Sequence, residues 1–129
     1  MKFDKIIVSD NAFKSSDPYD LVYSNITVVN LLRSEGVEEK LIHPDSLTSY
    51  YLDYYLAQNN NGGFAQFVFN SKWNEQVNSR IENGLKQIGA EKHLTFFKTQ
   101  TEKVNRLPKR EFTSFFKNKY ADETPQEIN

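Results

Sequence analysis

The sequence predicts an all-α fold: a single-domain irregular bundle of about six helices behind a short irregular or extended N-terminal segment. Three observations carry that expectation. Apolar residues recur at intervals of three and four through most of the chain. The strand signal is confined to Ile6-Ile7-Val8. Ten Phe, seven Tyr and one Trp among 129 residues supply large buried areas to a core that is otherwise only modestly apolar. A chain of this length suits one core, and the expected division is an irregular segment at 1–16, a helical domain at 17–120 and a polar tail at 121–129.

Each element has its own signal. Met1 to Ser16 reads as irregular or briefly extended. Asp17 before Pro18 is a cap followed by a first-turn proline, and Leu21, Val22, Ile26, Val29 and Leu32 then keep helical spacing until Gly36. Val37 to Ile42 adds one further turn, closed by His43-Pro44, because a residue before proline is pushed out of the α region. Asp45 or Ser46 is the expected cap of the next helix, whose Leu47, Tyr50, Tyr51, Tyr54 and Tyr55 form a broad aromatic face up to Gln58. Phe64, Phe67 and Val68 mark a short helix, and Asn70 or Ser71 is the expected cap of the helix after it. Val77, Ile81, Leu85 and Ile88 form the next stripe, ended by Gly89. Gly84 inside it predicts close approach of a neighbouring helix. Leu94, Phe97, Thr101 and Val104 come next, with Phe96 as a second-face contact. Pro108 then starts a last helix bearing Phe112, Phe115, Phe116 and Tyr120.

Composition excludes several kinds of chemistry. The absence of Cys removes disulfides, thiolate metal sites and cysteine nucleophiles, and fits a reducing compartment. The N-terminal apolar run is too short for a signal-peptide core, and no segment approaches the roughly 20 apolar residues that span a bilayer. A cytoplasmic protein without a membrane role is expected, so Asn25-Ile26-Thr27 is read as a chance match to a glycosylation acceptor. His43 and His93 are the only imidazoles and stand far apart, so no metal is expected. No Gly-x-Ser-x-Gly elbow supports a hydrolytic triad, and no phosphate-loop spacing surrounds Gly62-Gly63. Asp53 and Glu75 are acid/base residue types that nothing in the sequence brings together. The expectation is a non-enzyme without catalytic residues or cofactor.

The net charge of −1 conceals a polarity. Between Asp17 and Gln58 the acids Asp17, Asp20, Glu35, Glu38, Glu39, Asp45 and Asp53 face only Arg33 and Lys40. Between Lys92 and Lys119 the bases predominate. The plain reading of each half is a solvated helix face; the functional reading is a surface that steers a charged partner or joins two copies head to tail. The rings of the last helix fall on one face and its cations mostly elsewhere, so core packing is expected there rather than direct nucleic-acid binding.

Asn59 to Ser71 is the organising stretch. Asn61, Gly62 and Gly63 accept positive φ, so a helix can stop and reverse there before Phe64 re-enters the core. Two readings of this motif stand side by side. In one, Gly62 and Gly63 permit the reversal, Phe64 fills the core and Asn70 caps a helix. In the other, Asn61, Gln66 and Asn70 line a polar notch that receives a partner or small molecule.

The segment from Tyr50 to about Val104 resembles a small bacterial helical family named after a DNA-mimic protein, most of whose members are catalogued as a domain of unknown function; Asp17 to Gln58 would extend the resemblance as the family's leading helices. The resemblance rests on Tyr50 and Tyr54, on Asn61-Gly62-Gly63-Phe64-x-Gln66-Phe67-x-Phe69-Asn70-Ser71, and on Leu85-x-x-Ile88-Gly89-Ala90. It implies an all-helical domain, often dimeric, whose namesake type presents carboxylates spaced like DNA phosphates. By that resemblance the acids from Asp17 to Asp53 are the candidate partner surface. The near-neutral charge departs from what mimicry of a polyanion needs. The leading expectation is a protein-interaction module binding a bacterial regulator or toxin through the acidic half. DNA mimicry on the same surface, and a small-molecule or catalytic site at the Asn61–Gly63 turn, are the alternatives.

Overall fold

The computed structural model describes residues 2–117; the expected placements of Tyr120 and of the tail at 121–129 lie outside them. Among the described residues the regular structure is helical throughout. Six α-helices are present: α1 (Asp10–Lys14), α2 (Tyr19–Ser34), α3 (Pro44–Ser71), α4 (Glu75–Gln87), α5 (Glu91–Asn105) and α6 (Lys109–Lys117). A 3-10 turn at Glu39–Leu41 precedes α3. The all-α expectation holds. The chain divides at Asp53/Tyr54, inside α3, into two compact units.

Unit 1 holds α1, α2, the 3-10 turn and the first part of α3. The segment expected to be wholly irregular contains α1, because Ser9 caps it by accepting the Ala12 amide at 3.1 Å. Helix α2 starts one position later than expected: Pro18 occupies the cap position, and Asp17, one residue before it, accepts the Tyr19 amide on Oδ1 at 3.0 Å. Gly36 (φ 82°) ends α2 in a Schellman arrangement, with the Val37 amide bonded to the Leu32 carbonyl and the Gly36 amide to that of Arg33. The start of α3 differs from expectation. His43, not Asp45 or Ser46, supplies the cap, its Nδ1 accepting the Asp45 amide at 3.0 Å. Ser46 is buried instead, and its carbonyl accepts Asn25 Nδ2 at 2.8 Å. That bond also occupies the amide of the glycosylation-like triplet inside the fold. Of the expected α2 stripe only Val29 is fully buried, Leu21 is exposed, and Val22, Ile26 and Leu32 are half-buried.

Unit 2 is folded around a reversal within α3. The backbone leaves helical geometry at Gly62 (φ −139°, ψ 21°) and Gly63 (φ 77°, ψ −179°). In an unbroken helix Gln58 and Asn70 would lie about 18 Å apart along the axis, yet their side chains bond at 2.6 Å. The chain therefore doubles back at the two glycines. The turn comes later than Gln58, and Gly63 alone takes positive φ; Asn61 does not. Beyond the reversal Phe64, Ala65, Phe67 and Val68 are buried. Tyr55 meets Phe67 and Phe97 edge-on, each at 5.1 Å between ring centres, while Phe64 stacks on Phe97 at 5.8 Å. Such pairs add roughly 0.5–1.5 kcal/mol each beyond area burial.

Asn70 and Ser71 do not cap the next helix. Asn70 is committed to Gln58, Ser71 Oγ accepts the Trp73 amide at 3.2 Å, and Asn74 caps α4 by accepting the Val77 amide at 3.0 Å. In α4, Ile81, Gly84 and Leu85 are buried, as the stripe and the interior glycine led one to expect. Ile88 is the departure, 63% exposed at the C-cap. Helix α5 buries Phe97, Gln100 and Val104, and α6 buries Phe115, with Phe69 stacked on Phe116 at 6.0 Å.

Candidate functional site

Three places carry the polar and apolar groups from which function can be argued. The first is the turn. Asn61 Nδ2 donates to Gln66 Oε1 (2.9 Å), Gln66 Nε2 donates to Gln58 Oε1 (2.7 Å), and Asn70 Nδ2 donates to the same Gln58 oxygen. The three candidate notch residues do converge, with Gln58 as a fourth member that the sequence did not single out. They are occupied with one another. With Gln66 and Phe64 buried at 8% and 2% exposure, the network braces the reversal across the two helical arms.

The second place is the acidic side of unit 1. The candidate carboxylates are not one uniform array. Asp17 and Asp20 gather at Ser15, whose Oγ accepts the Asp17 amide (3.1 Å) and donates to Asp20 Oδ2 (2.5 Å). Asp53 accepts the Tyr19 hydroxyl at 3.1 Å, so Asp17 and Asp53 hold opposite ends of one tyrosine. Burial and the Asp53 contact raise that phenol above its ordinary value. Glu39 accepts the buried Tyr51 hydroxyl; burial first and the Glu39 hydrogen bond second push Tyr51 up to about 12. Glu38 pairs with Lys40 at 3.2 Å in an exposed setting, worth little on its own. Glu35 is the exposed C-cap of α2, and Asp45 is exposed in the first turn of α3.

Beside these acids lies a feature that sequence periodicity assigned to no face. Tyr19, Tyr23, Thr27 and Leu31 recur every four residues on α2, and Tyr19, Tyr23 and Leu31 are 50%, 63% and 59% exposed. A shallow groove of about 350 Å³ adjoins them, lined by Ala12, Asp20, Tyr23 and Thr27 among others. Unit 1 carries nine acids against five bases and unit 2 eight against eleven, giving formal charges of −4 and +3.

The third place is a cleft of about 600 Å³ in unit 2, between α4 and α5. Glu75, Asn78, Ser79 and Glu82 line it from α4 at i, i+3, i+4 and i+7, and Thr101 and Asn105 line it from α5. Trp73 is also in the lining, its indole N–H bonded to Asn105 Oδ1 at 2.9 Å. Of these, the sequence marked Glu75 as an acid/base residue type and placed Thr101 on a core stripe; the i, i+3, i+4, i+7 polar row beside the single Trp was the available signal for the rest. Asp53 belongs to unit 1 and is not among the lining residues. Among the described residues no three His, Asp or Glu side chains gather as a metal site requires. His43 serves as a helix cap and His93 is exposed on α5.

The hinge, the aromatic cluster and the cleft share one segment of the chain, and that segment has a counterpart among known families. The profile of DMP19-like proteins matches residues 40–129. The chain belongs to the DMP19-like family. The match takes in α3 to α6, hence the glycine reversal, the aromatic core and the cleft, and it reaches ten residues further towards the N-terminus than the resemblance beginning at Tyr50. It leaves out α1 and α2, so the expected extension of the resemblance from Asp17 through α2 is not matched. Asp17, Asp20, Glu35, Glu38 and Glu39 therefore precede the family region, and only Asp45 and Asp53 of the candidate acids fall within it. Neither the curated proteins nor the solved structures contain a match to this chain. No helix among the described residues is long and apolar enough to cross a membrane.

Proposed function

We propose that this DMP19-like chain is a non-enzymatic protein-interaction module whose unit 1 docks a basic, amphipathic segment of another protein. The observation that carries the reading is the exposed Tyr19-Tyr23-Leu31 stripe on α2, flanked by Asp17, Asp20 and Asp53 in a unit of formal charge −4. Exposed tyrosines with a charged rim are the anatomy of an interface centre, where a few aromatic anchors supply most of the affinity and the rim sets the on-rate. The amide network argues against the small-molecule reading of the turn, since Asn61, Gln66, Gln58 and Asn70 bond to one another rather than to an open space.

The test is native capture from a cell extract with three baits: the wild type, Tyr23→Ser/Leu31→Ser, and Glu35→Lys/Glu38→Lys. Glu39 is left intact because it holds Tyr51. A protein retained by the wild type should be lost from the stripe variant, with affinity down at least about tenfold. The charge variant should bind more slowly, with a weaker salt dependence. Retention by both folded variants would defeat the proposal. If the captured protein binds DNA, and DNA and this chain exclude each other from it, the same surface works as a DNA mimic; capture of a toxin or of a non-competing regulator assigns the broader role.

A further inference from the structure

The unit 2 cleft contains an arrangement that neither the fold nor the docking proposal uses. Glu75 and Glu82 stand two turns apart on α4, about 10 Å along the axis. Among the described residues neither carboxylate has an ion-pair or hydrogen-bond partner, and Glu82 is only partly exposed. Between them lies Asn78, whose Oδ1 exposes less than 1 Å² and has no hydrogen-bond partner among the described residues. A buried amide oxygen without a donor is the group a structure most needs to satisfy, and the soft terminal torsion of Asn lets it turn towards one. Trp73 supplies an aromatic wall. Its ring packs on Phe64 and Phe67, and its N–H is held by Asn105, so the indole is fixed rather than free to fold into the cleft.

The charged groups of the lining are therefore two carboxylates with no cation among the described lining residues, set beside the Asn78 oxygen and an indole; Ser79, Asn78 and Asn105 add neutral donors. Two carboxylates without a facing cation repel an anion and point to a donor-rich, positively charged occupant. We propose that the cleft binds an organic cation, an alkylammonium or guanidinium group, with the cation against Trp73 and its N–H groups on the carboxylates and Asn78. Ammonium and guanidinium groups are drawn to indole faces and to carboxylates by the same charge. The spacing of about 10 Å favours a linear dication over a single charge. A free diamine and two basic side chains of a peptide present that same chemistry.

Trp73 is the only tryptophan of the chain, so its fluorescence reports occupancy directly. The full chain is titrated with agmatine, with N-acetyl-arginine amide, with an Arg-Gly-Arg peptide capped at both ends, and with N-acetyl-citrulline amide as a neutral isostere. The cationic probes should give a saturable change, and the citrulline derivative should give none. Glu82→Gln should weaken binding about tenfold, as expected for loss of a charged acceptor. Glu75→Gln, at an exposed position, provides a second variant whose folding is safe, and should weaken the dications more than N-acetyl-arginine amide. Tighter binding of agmatine than of the peptide assigns the cleft to free amines; the reverse order assigns it to a basic segment. Equal responses to the citrulline and arginine derivatives, no saturable response to any cation, or unchanged affinity in both Gln variants would overturn the proposal. Because the site lies wholly in unit 2, none of these outcomes bears on docking at α2.

Discussion

Gly63→Ala probes the reversal on which unit 2 is built. At φ 77° and ψ −179° the residue occupies backbone space that is essentially reserved for glycine. An added Cβ raises the local energy by about 3 kcal/mol, the upper end for strained backbone, since ordinary left-handed residues already cost roughly 1–2 kcal/mol. Relaxation through neighbouring torsions is opposed on both sides of the turn. The Gln58 bonds to Gln66 and Asn70 and the Tyr55–Phe67 ring contact all require the arms to stay together. The internal reference is Gly89→Ala. Gly89 also has positive φ, 73°, but it ends α4 in a Schellman turn and an added Cβ meets nothing within 4 Å. Its substitution should cost only about 1 kcal/mol. Urea unfolding followed by Trp73 fluorescence reads unit 2 specifically, and Gly63→Ala should lower the midpoint by about 1–2 M and the melting temperature by roughly 10 °C. A Gly63→Ala loss no larger than that of Gly89→Ala would refute the assignment of the hinge.

Two further expectations concern buried phenols. Tyr55 is 0% exposed, and its hydroxyl has no hydrogen-bond partner among the described residues, so Tyr55→Phe should leave stability unchanged or raise it by up to about 1 kcal/mol; a loss beyond about 1 kcal/mol in urea titration would mean that the hydroxyl is bonded. Burial pushes both Tyr51 and Tyr55 up to about 12, against about 10 in the unfolded chain. Their contribution is whole below about pH 10 and is lost as pH rises towards 12, by about 1.4 kcal/mol per pH unit for each group. Urea midpoints from about pH 9 to about pH 11.5 should fall more steeply for the wild type than for Tyr51→Phe/Tyr55→Phe, and parallel curves would contradict the linkage.

Much of unit 2 was legible in the sequence because its helices are amphipathic in the simple sense. Ile81 with Leu85, and Phe97 with Val104, each keep to one face, and each pair is buried. The Gly62-Gly63 break was legible for a backbone reason. Helix α2 was harder to read. It carries Leu21, Val22, Tyr23, Ile26, Val28, Val29, Leu31 and Leu32 nearly all round its circumference, so spacing alone cannot choose the inward face. The core took Val29 together with the polar Asn25, and left Tyr23 and Leu31 outside. Caps were misplaced by where the helices begin: α3 starts at Pro44, which puts His43 rather than Asp45 at the cap, and Asn70 is drawn across the reversal to Gln58, leaving Asn74 to cap α4. The cleft was harder to read: the polar row on α4 beside Trp73 was there to see, but it acquires meaning only when α5 is brought alongside.

The extent of the family match bears on where recognition is encoded. Residues 40–129 contain what the fold of unit 2 demands: the hinge, the aromatic cluster and the cleft. The α2 stripe and five of the seven candidate acids precede Lys40. A substitution at Tyr23 or Leu31 removes an exposed ring or alkyl group without opening a cavity, whereas one at Phe67 or Phe97, at 0% and 1% exposure, disturbs several ring contacts at once. The proposed partner surface on α2 can therefore be altered without loss of the matched scaffold. The proposed cation site in the cleft is tied to that scaffold through Trp73, whose ring is part of the aromatic cluster. The α2 stripe of the proposed docking surface thus lies before the region that the family profile matches, and the proposed cation site lies within it.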